Sequence, residues 1–260
     1  MPTSDVGLLD HGGRDVVDGG VGAIVLVHGL MGRGRTWRRQ VPWLRRYGRV
    51  FTFDAANHQG VRAVDPTDIS TERFVADLAE IITWIDRGPA VLVGHSMGGL
   101  HSWCTAAAYP ELVSALVVED MAPDFRGRTT RAWTPWFASW PDRFPDLGSA
   151  VEMFGEVAGR YFYEAFDDGR LHGSISVWTD IAQEWAGRHF WDEWDAVEVP
   201  ALLVEAGFSV TPPGQMAEMA RRRHGASYVR VDGAGHLVHD DAPGVFRGAV
   251  EAFLSEFLAR

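Results

Sequence analysis

Short aliphatic and β-branched runs bounded by Gly and Pro alternate along the chain with longer stretches of helical periodicity. That order predicts βαβ units and a parallel sheet. The strand candidates are Ala23 to His28, Arg49 to Phe53, Ala90 to Val93, Ala115 to Glu119, Ala201 to Glu205 and Ser227 to Val231. They are mostly apolar runs rather than strict alternations, as expected when helices cover both faces of the sheet. Val6 to Leu9 and Val16 to Val17 read as an antiparallel edge. Between strands, Phe74, Leu78, Ile81, Ile82 and Ile85 form one helical stripe over Thr71 to Ile85, with Ser70 as its cap. After Pro243, the residues Val245, Phe246, Ala249, Val250, Phe253, Leu254 and Phe257 do the same.

The regularity breaks between Pro123 and Val199. Seven of the eleven tryptophans fall there (Trp133, Trp136, Trp140, Trp178, Trp185, Trp191 and Trp194), and Pro123, Pro135, Pro141 and Pro145 predict an irregular first part. Ala150 to Phe166 and Ser174 to Ala186 read as one or two helices. The chain therefore divides into a core over 1–122, a Trp-rich, mainly helical cap inserted at 123–196, and a second core part over 197–260.

Charge and composition narrow the chemistry. The 260 residues carry a formal net charge of −11, so neither nucleic acid nor an anionic membrane surface is an expected partner. All 24 basic residues are arginine, which excludes a Schiff-base or P-loop lysine. Cys104, the single cysteine, makes no internal disulfide, metal cluster or redox pair, and a reducing compartment is the simplest inference. No apolar run is long enough to span a bilayer, and the first residues lack the apolar stretch of a signal peptide. The expectation is a soluble cytoplasmic protein; its oligomeric state is not written in the sequence.

The strand Ala90 to Val93 runs into Gly94-His95-Ser96-Met97-Gly98-Gly99 and then a helical pattern. This is the strand, sharp turn and helix that a G-x-S-x-G nucleophile elbow requires. The glycines are needed because Cβ atoms at 94 and 98 would collide with the neighbouring strand and helix. Upstream, His28-Gly29-Leu30 closes a strand, and the N–H groups of Leu30 and Met97 are placed to hold an oxyanion. Downstream, Gly233-Ala234-Gly235-His236 puts an imidazole on a loop at the sheet's carboxyl edge, where it supplies the base that a serine lacks. His239 with His236 forms an H-x-x-H pair beside Asp240 and Asp241, but without a further ligand cluster it is not read as a metal site.

An acid must orient that imidazole. Ser209 stands where an aspartate often follows the strand Ala201 to Val204, so the candidates are Asp120, Glu119 and Glu205. Strand alternation sends Glu119 and Asp120 to opposite sides. Asp120, just past the strand end, is favoured.

These residues resemble the α/β-hydrolase superfamily over nearly the whole chain, and the order Ser96, Asp120, His236 is that family's order. Phe53-Asp54-Ala55-Ala56-Asn57-His58-Gln59-Gly60 is similar to the Asp-x-Arg-Asn-His-Gly block of small bacterial and mitochondrial esterases, with Ala56 in place of the arginine and Gln59 inserted. Glu119-Asp120-Met121-Ala122-Pro123 matches the segment that carries their acid. The resemblance implies an α/β-hydrolase fold and a serine hydrolase of carboxylic esters that needs no cofactor and no metal. Serine at the elbow argues against the dehalogenases and epoxide hydrolases, which use aspartate there. Lactone opening, thioester hydrolysis and C–C hydrolysis stay open, as does a catalytically quiet binding protein of the same fold. Trp133, Trp136, Phe137, Trp140, Phe162 and Trp185 are the candidate lining of a pocket for an apolar or aromatic small-molecule ester.

Overall fold

The computed structural model describes residues 6–18, 20–59, 68–128 and 130–259. Seven strands form one sheet: β1 (Leu9–Gly13), β2 (Val21–Val27), β3 (Gly48–Thr52), β4 (Ala90–His95), β5 (Val113–Glu119), β6 (Ala201–Phe208) and β7 (Ala226–Gly235). Their order is β1-β3-β2-β4-β5-β6-β7, with β1 antiparallel to β3 and every other pair parallel. The register sets His95 beside Glu119 and Glu119 beside Val204, so the strands that carry the candidate residues end side by side at one edge.

Every residue of β2 and β4 is buried, which is why these strands read as continuous apolar runs. Alternate side chains feed two separate cores. Ile24, Leu26, Val91, Val93, Val117 and Val204 meet Trp37, Phe246 and Val250 on one face. Val25, Val27, Leu92, Leu116, Val118 and Leu203 meet Leu78, Ile82 and Leu100 on the other.

The helices are α1 (Val41–Leu44), α2 (Thr71–Ile85), α3 (Met97–Ala108), α4 (Thr130–Ala138), α5 (Leu147–Phe154), α6 (Glu156–Ala165), α7 (Ile175–Ala186), α8 (Trp191–Asp195), α9 (Gln215–Arg222), α10 (Val238–Asp241) and α11 (Pro243–Leu258). Ser70 caps α2, its Oγ accepting the Arg73 N–H at 3.3 Å. Helices α4 to α8 all lie between β5 and β6. Among the described residues no helix is long and apolar enough to cross a membrane.

Three local expectations change. Val16–Asp18 is a turn of 3-10 helix, not a strand: the Val16 N–H is taken by Asp15 Oδ1 at 2.8 Å and both valines are exposed. The antiparallel edge falls instead on Leu9–Gly13, a polar segment that pairs on one side only. Pro135 does not keep its segment irregular but sits inside α4, which ends at Ala138. A break between α5 and α6 falls at Gly155, where φ is +83°, a conformation that a side chain disfavours.

The stretch between β5 and β6 is fastened by polar contacts to the segments after β2 and β3 and to the first turn of α2. Arg35 donates to the carbonyls of Ala165 and Phe166, and Arg39 pairs with Glu164 at 2.7 Å. Thr71 Oγ1 donates to Glu184 at 2.7 Å, and the Trp178 indole N–H donates to the Asn57 carbonyl at 3.1 Å.

Candidate active site

The turn after β4 is as tight as its glycines require. Ser96 has φ 52° and ψ −126°, a backbone conformation that costs on the order of 1–3 kcal/mol and persists only where its surroundings enforce it. A Cβ on Gly94 would lie 2.4 Å from the Gly98 carbonyl oxygen, and one on Gly98 would lie 2.2 Å from that of Val27. Both obstacles are backbone, so neither can yield. The Ser96 N–H donates to the Glu119 carbonyl at 2.8 Å, and helix α3 begins at the next residue. Its first N–H groups have no intrahelical acceptor and point toward the serine.

The loop after β2 lies against this turn: a Cβ on Gly29 would be 3.1 Å from Ser96 Cβ. Three buried imidazoles hold it. His28 Nδ1 donates to the Gly29 carbonyl at 2.8 Å while its Nε2 accepts the Ala55 N–H at 2.9 Å. His58 Nδ1 donates to the Ala56 carbonyl, leaving Nε2 to accept the Met31 N–H at 3.1 Å. His172, from between α6 and α7, donates to the Gly32 carbonyl at 3.1 Å. Burial pushes all three histidines below their ordinary pKa, so they stay neutral and keep these tautomers. With the Met31 N–H taken by His58 and the Gly32 N–H by Gly29, the Leu30 N–H has no internal acceptor among the described residues.

His236 follows β7. Its Nδ1 donates to Asp120 Oδ2 at 2.7 Å. Its carbonyl accepts from His95 Nε2 at 3.0 Å, with the two rings 4.6 Å apart, which sets His236 beside the elbow. Nε2 is the ring nitrogen not engaged by Asp120. No Ser96 side-chain hydrogen bond is present among the described residues; such bonds are often long before substrate arrives. Asp120 is fully buried with a left-handed φ of 45°, and its Oδ1 accepts from the Ala206 N–H at 2.9 Å and the Ser209 hydroxyl at 2.7 Å. Burial alone would raise its pKa, but the bonds from His236, Ser209 and Ala206 outweigh it and hold the carboxyl below its ordinary value.

The geometry separates the three acid candidates. Asp120 meets His236, Glu119 meets His239, and Glu205 accepts from the Tyr228 hydroxyl. The two histidines of the H-x-x-H pair therefore face different carboxylates. Ser209, standing in the slot where an aspartate was sought, donates to Asp120 instead.

Of the aromatic candidates, Trp136, Phe137, Trp140 and Phe162 share ring contacts of 5.0 to 6.2 Å, with Trp140 at their centre. Trp136 is partly exposed and the other three are buried. Tyr161 joins this nest to the site: its ring lies 5.4 Å from Phe162 and 6.1 Å from His95. Trp185 packs edge-on to Phe125 at 5.1 Å. The Trp133 side chain and Gly60 lie outside the described residues. His58 belongs to the Asn57-His58 part of the block quoted above and shapes this loop, whereas nothing in the sequence around His172 marks it, because the loop it holds is remote in the chain.

The model of the alpha/beta hydrolase family matches residues 24–249. This chain belongs to that family. It is 30% identical over 262 residues to the sn-1-specific diacylglycerol lipase ABHD11 of Mus musculus, covering 90% of this chain and 81% of that protein. It is 26% identical over 258 residues to the 2-(acetamidomethylene)succinate hydrolase of Mesorhizobium japonicum, covering 92% and 91%. A crystal structure of E-2-(acetamidomethylene)succinate hydrolase superposes with a TM-score of 0.79 at 22% identity over 95% of this chain and 94% of that one, a likeness of fold. Family and relatives together support hydrolase activity.

Proposed function

We propose that this protein is a serine hydrolase of carboxylic esters, acting on apolar small molecules through an acyl-enzyme on Ser96. The observation that carries the reading is the His236 to Asp120 hydrogen bond of 2.7 Å beside a serine held at positive φ. In this scheme His236 Nε2 takes the Ser96 proton as Oγ attacks the carbonyl carbon, and the N–H groups of Leu30 and Met97 hold the resulting oxyanion. The tetrahedral intermediate collapses, the alcohol leaves with the proton from His236, and water repeats the sequence to release the acid. Asp120 stays ionised throughout and stabilises the imidazolium.

Helices α4 to α8 act as a cap in this reading, and the rings around Trp140 supply an apolar wall for the acyl or alcohol group. That the mouse relative is named for a lipid ester is consistent with such a wall. One cysteine, buried, and no long apolar helix among the described residues suit a cytoplasmic enzyme.

A fluorophosphonate probe tests the proposal. Wild-type protein is expected to carry the label on Ser96 and Ser96→Ala none, with a panel of acetyl to octanoyl esters, aryl esters and macrocyclic lactones defining the substrate. Folded wild-type protein that resists labelling would overturn the reading.

A further inference from the structure

Behind the His236 to Asp120 bond lies a second pair of the same kind. Glu119, the last residue of β5, accepts the backbone N–H of His239 at 2.9 Å and its Nδ1–H at 2.9 and 2.8 Å. Consecutive carboxylates at one strand end thus take two histidines three residues apart, His236 just after β7 and His239 in α10. Alternation would part the two acids; the left-handed φ of 45° at Asp120 turns the chain so that both face that segment.

Residue 239 is held from every side. Gln40 Nε2 donates to its carbonyl at 2.9 Å, Trp37 stacks on its ring at 4.5 Å, and Arg39 pairs with the next residue, Asp240, at 3.2 Å. The rings of His95 and Tyr161 stand 5.4 and 5.9 Å away, and Phe246 at 6.0 Å closes the remaining face. Both Glu119 and His239 have no exposed surface. Burial alone would drive the imidazole toward its neutral form, but Glu119 reverses this and raises its pKa above the ordinary value. Such a buried pair gains little stability over an apolar one of the same volume. The reaction scheme above makes no use of it.

We propose that Glu119 and His239 are positioning residues, clamping the segment from His236 through α10 to the end of β5 so that the His236 ring stays aligned between Asp120 and Ser96. The inference rests on the serine-hydrolase reading and adds a second tier to it. The clamp holds the segment by a backbone N–H as well as a side chain, so its release moves the base rather than merely loosening a core.

Glu119→Gln keeps the shape and an oxygen at the Oε1 place, but puts an NH2 group where Oε2 stood, 2.8 Å from the Nδ1–H of His239. We expect kcat and the fluorophosphonate labelling rate to fall about tenfold or more, with KM within about twofold, the pattern of a lost transition-state alignment. The far-downfield proton resonance of the His236 Nδ1–H should shift or broaden in parallel. Ile82→Ala, on α2 in the opposite apolar layer, is the control for general loosening and should label at the wild-type rate. His239→Gln, which keeps the backbone bond to Glu119, is expected to show the same loss and carries the test should Glu119→Gln not fold. In the wild type the His239 amide and ring N–H should exchange slowly with solvent. Folded Glu119→Gln with a wild-type labelling rate and an unmoved resonance would overturn the clamp. So would equal slowing in Ile82→Ala, or fast exchange at His239. A wild type that never labels would instead sink the hydrolase reading, while the resonance would still report on the clamp.

Discussion

Replacing Asp120 by asparagine changes one atom, and the structure dictates how the amide must sit. Oδ1 is fixed by two donors, the Ala206 N–H at 2.9 Å and the Ser209 hydroxyl at 2.7 Å, so the amide oxygen must occupy that place. The NH2 group then replaces Oδ2, 2.7 Å from His236 Nδ1, and meets a ring nitrogen that can only accept. The imidazole is driven to carry its proton on Nε2, where it cannot take one from Ser96. A wrong-tautomer base of this kind lowers kcat by on the order of 10⁴. That is a barrier increase of about 5.5 kcal/mol at about 1.4 kcal/mol per tenfold. Hydrolysis of a p-nitrophenyl ester near neutral pH measures the loss, with circular dichroism confirming that the variant is folded. Glu205→Gln, whose buried carboxylate serves Tyr228 and not His236, should leave kcat within about threefold of wild type. A folded Asp120→Asn retaining more than about a tenth of wild-type kcat would refute the tautomer argument, as would a Glu205→Gln that alone abolishes turnover.

Other perturbations probe the frame around the serine. His58→Phe keeps the stack on Trp178 at 5.5 Å but removes the acceptor for the Met31 N–H, and kcat should fall between about tenfold and 10²-fold with KM little changed. Gly98→Ala forces a Cβ to within 2.2 Å of the Val27 carbonyl oxygen, so urea unfolding should show a loss of about 1–3 kcal/mol or more, together with lost labelling. The Asp120 carboxyl titrates below its ordinary range when folded, so its contribution to stability is complete above the unfolded value near pH 4 and is lost as pH falls through the lower folded value. Urea midpoints of the wild type should drop across that acid window, and those of Asp120→Asn should drop less. For His239 the sign reverses: its folded pKa is raised, so that share of stability is present below about pH 6.5 and fades as pH climbs through the folded value. The gap in melting temperature between wild type and Glu119→Gln should accordingly narrow from neutral to alkaline pH.

How much of the molecule could be read in advance depends on whether a feature is local. The apolar runs at 23–28 and 90–93 anticipated buried strands because full burial on both faces selects such residues directly. The elbow was legible for the same reason: the clash at Gly94 and Gly98 is set by backbone atoms a few residues away and by the strand beside them. Val16–Val17 misled because two β-branched residues state a preference without a partner to satisfy it, and Asp15 captured the Val16 N–H locally. Pro135 misled in the opposite direction, since a proline weakens a helix of nine residues without forbidding it.

Within the site, residue types and order alone determined that a serine, an imidazole and an acid were present in a workable sequence, and that the serine sat on a bend. Which acid serves which histidine was decided only in three dimensions. Asp120, Glu119 and Glu205 are alike in composition and close to strand ends, and they part company through the left-handed turn at Asp120 and through partners 23 to 120 residues away. The neutral imidazoles of His58 and His172 likewise gain their place from a loop far off in the chain. Periodicity records what a residue buries; a hydrogen bond between remote residues records where the chain returns, and that depends on the packing of the whole sheet.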